Sequence, residues 1–288
     1  MDAPNPSSTV TFANRTPLRI GAVGLKARDL SKLTDFYADA IGLAVIDRDA
    51  KTARLGAGGV TLLELEAAPN ALPDDPRTAG LFHTAFLQPT RADLARWLVH
   101  AANTRVPLSG ASDHLVSEAI YLDDPEGNGI EVYRDRLPEE WIWSGDRIKM
   151  ATDRLDLDNL AADAGNTAYA GAPGGLRIGH IHLRVGDLGP TQQFYGAIGM
   201  VPTAGRGGAL FMSSGRYHHH IGSNVWQSAG AGMRDDNRAG LSWFAIEAAD
   251  AATREEALAR LKGADIPVNG SAAGSQVRDP FGTRVRFA

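Results

Sequence analysis

The chain contains eight histidines and no cysteine. Any metal it binds must therefore be held by imidazole and carboxylate, and any covalent chemistry must run without a thiol nucleophile. Three histidines are consecutive, His218, His219 and His220 in RYHHHIGSNVW; His180 and His182 alternate in GHIHLRV, and His83 stands in GLFHTAF. Glu131 lies inside Ile-Glu-Val-Tyr, a run that reads as a strand. A carboxylate there must face solvent or a group that compensates its charge. Imidazole, with its near-neutral pKa, suits both metal ligation and proton transfer.

The elements that would position these residues are repeated. IGAVGLKARDLSKLTDFYADAIGL (20–43) recurs as IGHIHLRVGDLGPTQQFYGAIGM (178–200), with Ala22 replaced by His180. A second repeat interleaves with the first: segments opening Ala-Gly-Leu at 79 and 239 close in YLDDPEGNGIEVYRDR (121–136) and VRDPFGTRVRFA (277–288). Four units of about 50–60 residues thus alternate as A, B, A′, B′. In unit three, HIHLRV alternates like a strand, LGPTQQFYGAIG is helical with a glycine stop, and MVPTAG, ALFMSSG and YHHHIGSNVW read as three further strands. Strand alternation would set His219 on the face opposite His218 and His220. The pattern predicts an α+β fold of four βαβββ units forming two barrel-like curved sheets, since one such unit makes only half of an enclosing sheet. Along the chain we expect a flexible N-terminus (1–17), a module holding units one and two (18–136), a connecting helix and linker (137–175) with the boundary near 170, and a module holding units three and four (176–288).

Composition narrows the function. With 288 residues and 43% hydrophobic content the chain can bury a substantial core. A net charge of −5 without a Lys/Arg block gives no phosphate-tracking surface, so nucleic acid is not an expected partner. No run approaches the roughly 18–20 apolar residues of a membrane helix, and MDAPNPSSTVTFANRTP has neither the basic nor the apolar region of a signal peptide. A cytoplasmic protein with small-molecule partners is expected; patterning leaves a homo-oligomer open.

Four βαβββ units, the GHIHLRVGDL opening, RYHHHIGSNVW and DDPEGNGIEVYRDR together resemble the vicinal oxygen chelate superfamily (glyoxalase/bleomycin-resistance/extradiol dioxygenase fold), and within it the two-domain extradiol ring-cleaving dioxygenases of the catechol 2,3-dioxygenase type. In that superfamily a metal ligand occupies the third position of an IGH-type opening strand or the Glu of a GIEVY-type closing strand. By that rule the opening positions are Ala22, His83, His180 and Trp243, and the closing positions that align are Glu131 and Arg286. The resemblance therefore implies a metal site of His83, Glu131 and His180, the donor set of the Fe(II) facial triad, with Mn(II) also accepted. Because these residues come from units two and three, the inner units must pair with each other and the outer units form a second, metal-free sheet, with Trp243 filling the place of a ligand.

The same resemblance assigns His219 as catalytic acid/base and Tyr121 as a hydrogen-bond donor to a deprotonated catechol oxygen; His114, on the approach to the Tyr121 strand, is read as a partner of the second hydroxyl, although its loop spacing departs from the family pattern. His218 and His220 are structural, His182 supports the site, and Phe36-Tyr37 and Phe194-Tyr195 pack helix onto sheet. The implied activity is Fe(II)-dependent cleavage of a catechol-type ring by O2 to a muconic semialdehyde. Another divalent-metal enzyme of the superfamily, such as a glyoxalase-like isomerase or lyase, and a metal-free binding protein are the alternatives.

Overall fold

Each repeat opens with an alternating strand followed by a helix whose first turn is capped by the residue just before it. Asp29, Thr90, Asp187 and Asp250 each accept a hydrogen bond from a first-turn backbone N–H, satisfying a donor that would otherwise lack a partner. The computed structural model describes residues 11–270 and 274–288. Unit one is β1 (Leu18–Ala27), α1 (Leu30–Asp39), β2 (Ala44–Arg48), β3 (Thr52–Ala57) and β4 (Val60–Ala67). Unit two is β5 (Gly80–Leu87), α2 (Arg91–Asn103), β6 (Gly110–Asp113), β7 (Ser117–Asp123) and β8 (Gly129–Asp135). The connector carries the short strands β9 (Trp143–Ser144), β10 (Arg147–Ile148) and β11 (Asp153–Arg154) and the helix α3 (Leu157–Ala162). Unit three is β12 (Arg177–Arg184), α4 (Leu188–Ile198), β13 (Val201–Arg206), β14 (Ala209–Ser213) and β15 (Ile221–Asn224). Unit four is β16 (Gly240–Ala248), α5 (Ala251–Gly263), β17 (Gln276–Arg278) and β18 (Arg284–Phe287), its remaining strand reduced to a single bridge from Asn269 to Gln276.

The sheets form across the chain. One has nine strands in the order β11-β6-β7-β8-β5-β12-β15-β14-β13, the other seven in the order β17-β18-β16-β1-β4-β3-β2. Units two and three therefore share the first, and units one and four the second. The seams are the antiparallel pairs β5/β12 and β1/β16. Along the chain, 18–136 and 176–288 each contribute one unit to each sheet. One apolar cluster, including Leu33 and Tyr37 of α1, Trp97 of α2 and Leu261 of α5, links the helices to both sheets, and a second, smaller one gathers Ala85, Tyr133, Trp141 and Tyr217.

The repeated tyrosines do more than pack. Tyr37 donates to Asp124 at 3.1 Å and Tyr195 to Asp279 at 3.2 Å. Each ties the helix of one unit to the Asp-Pro turn of the unit that follows in sequence, which belongs to the other sheet. Of the expected flexible N-terminus, residues 1–10 lie outside the described residues. Phe12–Arg15 form a 3-10 turn, with Phe12 stacked edge-on against Trp141 at 5.5 Å.

One expectation needs correction. RYHHHIGSNVW is not strand throughout: β15 begins at Ile221, and His218 and His219 lie in an irregular segment before it. Gly215 and Arg216 turn through left-handed conformations. The carbonyls of Tyr217 and His218 then accept from the hydroxyls of Ser213 and Thr203 rather than from a neighbouring strand. Among the described residues no helix is long and apolar enough to cross a membrane.

Candidate metal centre and active site

Strand register brings the donor set together. Ala85 on β5 lies opposite Glu131 on β8 in the parallel ladder and opposite His180 on β12 in the antiparallel one. His83, two residues before Ala85, points to the same face. The methyl side chain of Ala85 leaves the space between its neighbours open. Three side chains from three adjacent strands fill it: His83 Nε2 to Glu131 Oε2 is 3.1 Å, His180 Nε2 to Glu131 Oε2 3.3 Å, and the two Nε2 atoms lie 3.3 Å apart. All three are buried, at 6%, 3% and 1% exposure for His83, Glu131 and His180.

This triangle fits a divalent ion. Bonds of roughly 2.0–2.2 Å at right angles place donor atoms roughly 3 Å apart. The charge state fits as well. Burial opposes ionisation of Glu131, but His180 and His83 outweigh it and hold the carboxyl well below its usual range. Burial pushes His180 down to about 4, against the pull of Glu131, so its ring is neutral. The cluster thus holds a buried carboxylate beside the neutral imidazole of His180, an arrangement a cation completes. Among the described residues Nδ1 of His180 has no hydrogen-bond partner.

The triad lies against a cavity of about 1080 Å³ whose lining includes Tyr121, His114, His182 and His219. Tyr121 is the cross-strand neighbour of Glu131. His114 Nδ1–H donates to the carbonyl of Ala151 at 2.6 Å, so its Nε2 accepts the Tyr121 hydroxyl, also at 2.6 Å. Tyr121 therefore spends its proton on His114 and turns an oxygen lone pair toward its surroundings, where the family resemblance implied a donor. Burial, then the neighbouring Glu131, raises the Tyr121 hydroxyl well above its usual range.

His182 is held by Asn224 at 3.0 Å and packs on Phe82 at 4.9 Å and Trp226 at 5.8 Å. Gly222 lies opposite it on β15, where an added Cβ would meet the imidazole at 2.9 Å. The ring of His219 lies 4.1 Å from that of His180. His218 and His220 turn away from the triad. His218 Nε2 meets Asp135 at 2.7 Å, and His220 Nε2 meets Thr16 at 3.1 Å.

Sequence reasoning missed the cavity's outer wall. Arg147 through Thr152 of the connector line it, as do Phe82 and Trp226, which meet edge-on at 5.2 Å. Trp226 in SNVW and Phe82 next to His83 were visible as aromatics, but the connector carried no signal of its position.

Paired βαβββ units enclose a cavity walled by a two-imidazole, one-carboxylate triangle that could hold a metal ion. Sequence comparison agrees: residues 19–132 match the Glyoxalase/Bleomycin resistance protein/Dioxygenase superfamily. The chain is 36% identical over 270 residues to the catechol-2,3-dioxygenase of Bacillus subtilis strain 168, covering 91% of this chain and 93% of that protein. It is 29% identical over 127 residues to biphenyl-2,3-diol 1,2-dioxygenase 3 of Rhodococcus globerulus, covering 42% of this chain and 67% of that one. A crystal structure from Bacillus subtilis strain 168 shares the fold at 16% identity and a TM-score of 0.61, covering 95% of this chain and 85% of that one. The chain belongs to this superfamily, and within it to the two-domain extradiol dioxygenases.

Proposed function

We propose that the protein opens a catechol-type ring with O2, outside the two hydroxyls, to give a muconic semialdehyde, using Fe(II) held by His83, Glu131 and His180. The observation that carries this reading is the 3.1–3.3 Å triangle of those three side chains on the cavity wall. Two imidazoles and a carboxylate are the donor set of non-haem Fe(II) oxygenases, and Mn(II) accepts the same donors. The bound ion would supply a common anchor for both substrate oxygens and for O2.

The remaining chemistry falls to the chain. The Tyr121–His114 pair accepts a hydrogen bond from a substrate hydroxyl and sets the ring's orientation. His219, beside His180, takes a hydroxyl proton and returns it later in the cycle. His182, Phe82 and Trp226 form an aromatic wall on which a planar substrate stacks. The cavity is larger than a single catechol ring needs, which supports substrates with an alkyl or aryl substituent.

The test is an oxygen electrode with Fe(II)-reconstituted protein and catechol, run alongside metal analysis. Uptake of one O2 per ring opened, lost in His83→Ala and Glu131→Ala, is the expected result. Tight metal binding with no oxygen uptake from any catechol tried would move the protein to the isomerase or lyase class. Failure to hold metal after anaerobic loading would make it a binding protein.

A further inference from the structure

His219 does not stand alone. Its Nδ1 lies 2.9 Å from Nδ1 of His218, and Nε2 of His218 lies 2.7 Å from Oδ1 of Asp135. Directions follow from what each group can do. An ionised carboxylate only accepts, so His218 Nε2 carries the proton and donates to Asp135. In neutral His218, Nδ1 is then a bare lone pair, and the 2.9 Å contact requires the proton to sit on Nδ1 of His219. Asp135 Oδ1 also accepts from the Tyr217 hydroxyl at 3.1 Å, and Tyr217 in turn accepts from Tyr133 at 2.7 Å. His218 is wedged between Tyr217 at 4.0 Å and Trp141 at 5.3 Å, which fixes its ring plane.

We propose that Asp135 and His218 are positioning residues for the reaction: the buried chain Asp135–His218–His219 locks His219 in the Nδ1–H tautomer and leaves its Nε2 bare as the base on the cavity side. This rests on the reading of His219 as the acid/base. When Nε2 takes a substrate proton, the resulting imidazolium is joined through His218 to the carboxylate of Asp135, as a carboxylate steadies the histidine of a catalytic triad. Glu131, Tyr133 and Asp135 alternate along β8 and so share one face. One strand would thereby carry both the carboxylate that holds the metal and the carboxylate that orients the base.

The test uses the full-length chain, labelled with 15N-histidine and loaded with diamagnetic Zn(II), in long-range proton–nitrogen correlation spectra. We expect His219 to read as protonated at Nδ1 and bare at Nε2. His218→Phe, which keeps the ring but removes the acceptor, should release that preference. With Fe(II) it should lower kcat on the order of 10²-fold while metal content and KM stay within about threefold. Asp135→Asn keeps an oxygen able to accept from both His218 and Tyr217, so it should hold the tautomer and recover most of the kcat that Asp135→Leu loses. A wild-type His219 protonated at Nε2 overturns the proposal, as does a His218→Phe enzyme with kcat within twofold of wild type. If His218→Phe does not fold, the wild-type spectrum and the Asp135 pair still decide. The spectra need no substrate, so a wild type that consumes no oxygen would sink the ring-cleavage reading while leaving the tautomer measurement intact.

Discussion

The nine-stranded and seven-stranded sheets are built on one plan and differ at their centres. In the first, Ala85, His83, His180 and Glu131 surround a space bounded by small or ligating side chains. In the second, the corresponding positions carry Ala22, Trp243 and Arg286. There the Arg286 guanidinium lies 3.8 Å over the Trp243 ring, and the indole N–H donates to Glu66 at 3.0 Å. Gly24 makes room for the indole, since a Cβ there would meet Trp243 at 2.1 Å. A cation–π pair with an attached carboxylate thus fills the volume that, in the other sheet, is left to a metal and substrate. The comparison teaches that a duplicated fold can keep one concave face for chemistry and turn the other into core.

The difference can be broken most strongly at the triad. His180→Ala or Glu131→Gln should reduce bound metal to below about a tenth of an equivalent and oxygen uptake to background, because a three-ligand site that loses one donor no longer holds its ion. Metal analysis and the oxygen electrode read the two effects separately. In the plugged sheet, Trp243→Ala should cost about 3–5 kcal/mol in urea unfolding and leave kcat near that of wild type under conditions where the protein stays folded. A large fall in turnover without unfolding would show that the two sheets are not so cleanly divided.

Glycine substitutions sharpen the contrast. Gly222→Ala crowds His182 and should lower kcat/KM about tenfold or more by displacing the aromatic wall. Gly24→Ala crowds Trp243 and should lower stability by about 1–3 kcal/mol with activity retained. The smallest effects belong to the tyrosine ties. Tyr37→Phe and Tyr195→Phe should each cost about 1 kcal/mol. Burial raises Asp279 to about 6, above its ordinary 3.8. The folded state therefore binds this proton more tightly than the unfolded state, so the stabilisation is present below about 4 and is lost as pH rises through about 6. Relative to Asp279→Asn, wild type should gain stability in urea between pH 7 and pH 5.

Much of this was legible in the sequence because the repeats carried it. The ligand rule implied by the family resemblance, applied to homologous positions of the repeats, separated His83, Glu131 and His180 from Ala22, Trp243 and Arg286, and that separation is why the inner units had to pair. Local periodicity placed the helix of unit three, and the repeat carried it to the other units. The histidine run misled as a strand because side-chain hydroxyls, not a neighbouring strand, satisfy the carbonyls of Tyr217 and His218, and no two-residue period reports that. The Asp135–His218 contact joins residues 83 apart in sequence, and the connector segment over the cavity has no repeat to compare with. Contacts of that kind come from how the sheets close, not from any local pattern.

The seams between β5 and β12 and between β1 and β16 have a consequence for biogenesis. As the first half of the polypeptide leaves the ribosome, its two curved half-sheets each present an unsatisfied seam strand whose native mate has not yet been synthesised. Those two seams are free to zip onto each other, or onto another nascent molecule, before the second half arrives.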